Sequence, residues 1–202
     1  MSEIKDWTGG KPSIFTCHGA SNHSENVRQE HDYYATDPIV VPMLLEQEQF
    51  SSAVWECAVG GGHIAEELKK AGYTVVCSDI VDRGYPGTNI LDFLAVDKET
   101  ALDMDIITNP PYKYALEFAQ KAMEILSDGR KLAMFMKLTF LEGKKRQAFF
   151  EEYPPKTVYV LRSRVDCAFN GDFSGKPVKA VCYAWFVWEK GYKGDPHVKW
   201  IN

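Results

Sequence analysis

No window of the 202 residues approaches the roughly 20 uninterrupted apolar positions of a membrane-spanning helix. The opening MSEIKDWTGGK lacks the apolar core of a secretory signal. There is no internal repeat and no low-complexity segment. Cysteine is scarce: the five, at 17, 57, 77, 167 and 182, are odd in number, widely spaced and without a CxxC pair. That excludes a dense disulfide framework. Cys57, Cys77 and Cys182 fall inside apolar, strand-like runs and read as reduced core residues. A cytoplasmic protein with no membrane partner is the expectation. Cys17, His18, His23 and His31 match no standard zinc spacing, and no metal is expected.

What is present is the material of one sizeable domain, 45% hydrophobic and 13% aromatic. The net charge of −5 is unevenly spread. Residues 130–164 hold nine Lys/Arg against three acids, a surplus of six, which leaves −11 for the remainder. Such asymmetry suits a face turned toward a polyanion, and equally a solvated face of mixed charge.

Residues 1–31 are polar, rich in Gly, His, Ser and Asn and without a period, which predicts an arm ahead of a domain at 32–202. From Ile39 the pattern becomes regular. PIVVPMLLEQ reads as a short helix, and 53–59 as a buried strand. A glycine turn then opens a helix that Gly72 ends, and 73–79 and 104–109 are strands. A helix over 113–127 puts Ala115, Phe118, Ala119, Ala122, Ile125 and Leu126 on one face. Residues 131–140 read as a strand and 144–153 as a helix. TVYVLRSRV and KAVCYAWFVWEK close the chain as two strands with no helix between them. Strand–helix alternation predicts a mostly parallel sheet with helices on both faces, and the last two strands must be antiparallel. Ligands of such sheets bind beyond the strands' carboxyl ends, at the point where strand order reverses.

Two segments sit at strand carboxyl ends. Gly60-Gly61-Gly62-His63-Ile64-Ala65 fits G-x-G-x-x-A, and Asp79 ends the following strand nineteen residues after Gly60. Glycine admits close backbone approach, and the acid can accept hydrogen bonds from a ribose diol. Asn109-Pro110-Pro111-Tyr112 ends another strand. Two prolines remove two backbone donors, and Pro111 holds Pro110 extended, which fixes its carbonyl direction. An amine on a heteroaromatic ring is a poor nucleophile because its lone pair is delocalised. The Asn109 side-chain oxygen and the Pro110 carbonyl can accept its two hydrogens and favour a tetrahedral nitrogen. Tyr112 offers a flat face, worth roughly 1–3 kcal/mol to a stacked base.

The glycine turn and NPPY together resemble the amino-methyltransferases that use S-adenosylmethionine, in particular the N6-adenine DNA methyltransferases, over about 32–193. That resemblance implies a class I, Rossmann-like α/β fold with a seven-stranded sheet and a C-terminal antiparallel hairpin. It implies methyl transfer from S-adenosylmethionine to adenine in DNA, with Asn109, Pro110, Pro111 and Tyr112 catalytic. DYYATDP is similar to the upstream segment at the cofactor's methionine end, nominating Tyr34 and Thr36. Glu56, Gly60 and Gly62 match the first cofactor motif, Asp79 the ribose acid, and Asp92-Phe93 the pair that holds the adenine. LRSRVDCAFNGDF stands where an aromatic faces the target base, nominating Phe169 and Phe173. Lys144, Lys145, Arg146, Arg162 and Arg164 are candidates for phosphate contacts, the last two sharing a strand face. The arm resembles segments of small adenine methyltransferases of phage and mobile elements.

Two departures from that pattern stand out: Asp37 intervenes in the usual T-P, and the chain has no room for a large target-recognition domain. RNA is therefore an alternative acceptor, and target recognition has room for a protein partner. N4-cytosine methylation usually pairs with Ser in place of Asn109. Protein glutamine methylation also uses NPPY, but that family lacks DYYATDP. A catalytically silent nucleic-acid-binding subunit is the rival from outside the enzymes.

Overall fold

The computed structural model describes residues 34–165, 167–169 and 181–202. The arm, with Cys17, His18, His23 and His31, lies outside the described residues, as does Phe173.

The chain opens on strand β1 (Tyr34–Thr36) and helix α1 (Val40–Leu45). Asp37, the residue that interrupts T-P, makes the turn between them. Its carboxylate accepts from Ile39 N at 3.2 Å and its carbonyl from Val40 N at 3.2 Å. Strand β2 (Ala53–Glu56) leads through the glycine turn into α2 (His63–Lys70), and then come β3 (Thr74–Asp79) and β4 (Thr88–Ile90). Gly72, at φ +92°, ends α2 in a left-handed residue. Tyr73 N donates to Leu68 O and Gly72 N to Lys69 O, which satisfies carbonyls the helix leaves over.

Strand β5 (Asp105–Thr108), helix α3 (Ala115–Ile125), β6 (Lys131–Lys137), α4 (Gln147–Glu152) and β7 (Thr157–Leu161) follow. The last three strands are β8 (Cys167–Phe169), β9 (Tyr183–Glu189) and β10 (His197–Ile201). Eight strands form one sheet in the order β10-β7-β9-β6-β5-β2-β3-β4, with β9 antiparallel to both neighbours and the other strands parallel. This is the expected class of fold with one more strand: β10 extends the sheet past β7, a five-residue edge strand exposed everywhere but Ile201. The expected C-terminal antiparallel pair is β7 with β9, and β9 slots between β6 and β7.

Both faces of the sheet are covered, and β9 shows it residue by residue. Ala184, Phe186 and Trp188 pack on one face with α3 and Phe149 of α4. Tyr183, Trp185 and Val187 pack on the other with Val40, Val41 and Leu44 of α1 and Ile64 and Leu68 of α2. Period-two alternation with both sets buried is the signature of an interior strand. The indole of Trp185 donates to Val40 O at 2.9 Å, locking α1 onto the sheet. The face expected for the helix at 113–127 is buried at all six positions. Cys57 and Cys77 are buried free thiols, whereas Cys182 is exposed just ahead of β9 and is no core residue. No described helix is long and apolar enough to cross a membrane.

Candidate functional site

Strand order reverses between β2 and β5, which pair in parallel through Val54–Asp105 and Trp55–Ile106. The glycine turn and NPPY therefore leave the carboxyl ends of neighbouring strands. A small two-stranded sheet closes over that end: β1 pairs antiparallel with β8, Tyr34 opposite Phe169 and Thr36 opposite Cys167. The upstream and late segments of the sequence are thus joined by backbone pairing. Asn109 Nδ2 donates to Thr36 Oγ1 at 2.8 Å and ties the pair to NPPY.

A small pocket, about 20 Å³ enclosed within about 230 Å³ of open space, lies at this junction, lined by Thr36, Glu56, Ala58, Val59, His63, Ile64 and Asn109. Glu56 is 1% exposed. One carboxyl oxygen accepts from Ala58 N at 3.2 Å, and the other, Oε2, is buried without a hydrogen-bond partner. Burial pushes the Glu56 pKa up to about 8, and the neighbouring Asp79 charge pushes the same way. His63 is held below its ordinary value by burial. Nothing in the sequence singled out His63, which reads only as the first residue of a helix.

Asp79 is buried at the end of β3. Its Oδ2 accepts from Gly60 N at 2.8 Å and its Oδ1 from Val81 N at 3.0 Å. It fixes the glycine turn while its carboxylate keeps further lone pairs. Beyond it, Ile80 (51% exposed), Ile90 (59%) and Leu91 present an apolar surface to solvent at the ends of β3 and β4. An apolar residue left open at a strand end is a signal that only exposure reveals.

The Asp92-Phe93 pair opens a short 3-10 turn just beyond β4. The Phe93 ring is 2% exposed, edge-on to Trp55 at 5.2 Å and stacked on Phe118 at 5.0 Å, so it belongs to the core. Asp92 caps the 3-10 turn Phe93–Ala95 by accepting from Leu94 N at 2.9 Å. Gly62, at φ +85°, has the Tyr85 ring against its Cα, and a Cβ there would lie 2.2 Å from ring carbons. Its smallness serves this contact, with Tyr85 donating to Glu66 and accepting from Lys69.

Pro111 stands at the N-cap of a 3-10 turn, Tyr112–Tyr114, and its carbonyl accepts from Tyr114 N at 2.8 Å. The prolines thus form the entrance to α3, a position where a missing N–H costs nothing. Lys137 Nζ lies 5.1 Å from the Tyr112 ring centroid, and Tyr183 lies beside that ring at 6.3 Å.

The basic segment is less uniform than its sequence. Arg130, Lys131 and Lys156 pair with Asp103, Glu48 and Glu189, cancelling three of the nine charges. Lys144 and Lys145 are exposed on a 3-10 turn, and Arg146 of the same turn lies over Phe140. β7 ends at Leu161, so Arg162 and Arg164 follow the strand and share no strand face. The backbone turns there because Asn202 Oδ1 accepts from Arg162 N and Ser163 N.

The sheet and strand-end crevice define a class I, Rossmann-like methyltransferase fold. No protein-family model and no curated protein matches the chain. Among solved structures, the chain is similar to a modification subunit of a putative type I restriction enzyme from Vibrio vulnificus, with TM-score 0.59 and 15% identity. That match covers 84% of this chain and 46% of the other, so the chain spans about half of that subunit's length. A predicted O-methyltransferase from Agrobacterium tumefaciens matches with TM-score 0.59 and 11% identity over 82% of this chain and 85% of its own. A putative class I S-adenosylmethionine-dependent methyltransferase from Listeria monocytogenes matches with TM-score 0.57 and 14% identity, covering 93% and 70%.

Proposed function

We propose that this chain transfers a methyl group from S-adenosylmethionine to the N6 amine of adenine in DNA. The observation that carries the proposal is the bond from Asn109 to Thr36 at a pocket that also holds Glu56. The bond from Nδ2 to Thr36 sets the amide's orientation, with Oδ1 the acceptor that would meet a substrate. The exocyclic amine donates one hydrogen to Asn109 Oδ1 and the other to the Pro110 carbonyl. Its nitrogen turns tetrahedral, and the two acceptors stabilise the positive charge that develops there. The leftover proton passes to water.

The residues present fit the cofactor. Glu56 Oε2 is a buried acceptor without a partner, and the ammonium of a methionine moiety is the donor that would satisfy it. The enclosed part of the pocket, about 20 Å³, is too small for the whole cofactor, since sites for such ligands usually span about 300–1,000 Å³. The nucleoside would therefore lie outside, its ribose on Asp79 and its adenine on Ile80 and Leu91. Bound there, S-adenosylmethionine supplies an electrophilic methyl group on sulfonium. Thr36 and Gly60 would support the methionine end. Tyr112 would flank the acceptor base, which in a duplex must first leave the stack. A protein partner that reads the target sequence completes the scheme.

The test offers methyl-labelled S-adenosylmethionine with duplex DNA, single-stranded DNA, RNA and a protein extract in parallel, followed by digestion and mass spectrometry. N6-methyladenine in DNA is the expected product. Label in RNA, in N4-methylcytosine or in glutamine would replace the acceptor, and a chain that binds no cofactor would be a silent subunit.

A further inference from the structure

A second pocket, about 420 Å³ of open space, adjoins the NPPY loop on the β6 side and is lined by Tyr112, Ala115, Met136, Lys137, Thr139, Phe140 and Arg146. We infer that it binds a backbone phosphate of the nucleic acid next to the methylated nucleotide, through Lys137 and Arg146. The inference depends on the nucleic-acid reading above and assigns the contact that would distinguish a polynucleotide from a free base.

Two cations line this pocket and no carboxylate does. Among the described residues neither Lys137 nor Arg146 forms an ion pair, in contrast to Arg130, Lys131 and Lys156. Arg146 is held in place: its guanidinium carbon lies 4.9 Å from the Phe140 ring centroid, and Nη2 donates to Thr139 O at 3.2 Å. Its Nε is buried and lacks a hydrogen-bond partner. A buried, oriented donor with no acceptor is costly unless a ligand supplies one, and guanidinium geometry suits phosphate oxygens.

Lys137 closes β6, the strand beside β5, so its ammonium reaches the loop that follows β5. It lies over the Tyr112 ring, on a surface a planar base would use. A base stacking there must displace the ammonium, and the phosphate attached to that base's neighbour is the nearest anion able to receive it. Lys144 and Lys145 lie outside the pocket and supply only diffuse attraction.

The test measures fluorescence anisotropy of a labelled single-stranded oligonucleotide over a salt series, for the whole chain and for Lys137→Met, Arg146→Met and Lys98→Met. Methionine keeps an apolar stem of similar length and removes the charge. Lys137→Met and Arg146→Met should each bind about five- to tenfold more weakly, with the salt slope reduced by about 0.7 per lost contact. Lys98→Met, an exposed loop change, should match the parent. Calorimetric affinity for S-adenosylmethionine should be unchanged in Lys137→Met. Inorganic phosphate should compete only weakly, because the site recognises phosphate in a chain with a stacked base. Melting curves guard against a loosened Phe140 in Arg146→Met, and Lys137→Met decides alone if that variant melts early. A Lys137→Met protein with parental affinity and slope overturns the inference, while N6-methyladenine formation by the parent would leave the function standing. A parent that binds cofactor but no oligonucleotide, or labels only protein, overturns both.

Discussion

Asn109 Nδ2 donates to Thr36 Oγ1 at 2.8 Å across 73 residues of sequence. The bond fixes which end of the amide faces the pocket, so under the proposed function Thr36 would act on the acceptor amine through Asn109. Thr36→Val should lower kcat about tenfold, the worth of one net hydrogen bond, and Thr36→Ser should restore it. Asn109→Ala removes the acceptor itself and should cost about 10²–10³ in kcat while calorimetric affinity for S-adenosylmethionine persists. Full activity of Asn109→Ala in the labelled-methyl assay would refute the assignment.

Glu56 should make the free protein's stability depend on pH. Its folded pKa is raised to about 8, from 4.5 for an ordinary glutamate. Between those values the folded chain keeps a proton that the unfolded chain has lost. The contribution to stability is therefore full below the lower value and declines as pH rises toward the upper one. Glu56→Gln should flatten the melting-temperature profile over that window. A cation beside Oε2 favours the carboxylate, so binding of S-adenosylmethionine at neutral pH should release a proton. The calorimetric heat should then depend on the buffer's ionisation enthalpy, and the dependence should vanish in Glu56→Gln.

Asp79 holds the glycine turn, and under the proposed function it would also hold the ribose. Asp79→Ala strands the buried Gly60 N–H and should cost about 2 kcal/mol of stability, together with cofactor affinity. Asp79→Asn keeps a side-chain oxygen for that N–H. It should recover most of the melting temperature and little of the affinity, which paired differential scanning and titration calorimetry would reveal.

Gly62 is constrained twice, by φ +85° and by the Tyr85 ring. Gly62→Ala should destabilise by about 1–3 kcal/mol. Adding Tyr85→Ala removes the clash but leaves the backbone strain. The double variant should thus be more stable than the sum of the two single losses, as denaturant titration would measure. Simple additivity would mean that the ring does not hold the glycine.

Local chemistry made much of this molecule legible from its sequence. The period-3.6 face of α3, the left-handed stop at Gly72 and the apolar runs of β2, β3, β5 and β6 are dictated within a few residues by side-chain spacing and backbone sterics. Because strand–helix alternation forces a parallel sheet, the same reading placed the glycine turn and NPPY at strand ends in one crevice. What lay beyond local chemistry was decided by partners distant in the chain. The insertion of β9 between β6 and β7, the addition of β10, and the pairing of β1 with β8 that brings Thr36 to Asn109 all depend on non-local hydrogen bonds. Exposure is likewise a property of the whole molecule: it left Ile80 open, put Phe93 in the core, paired Arg130, Lys131 and Lys156 with distant acids, and set Lys137 beside Tyr112. A residue's type and spacing fix its conformation and its chemistry, but its partners are chosen only when the chain closes on itself.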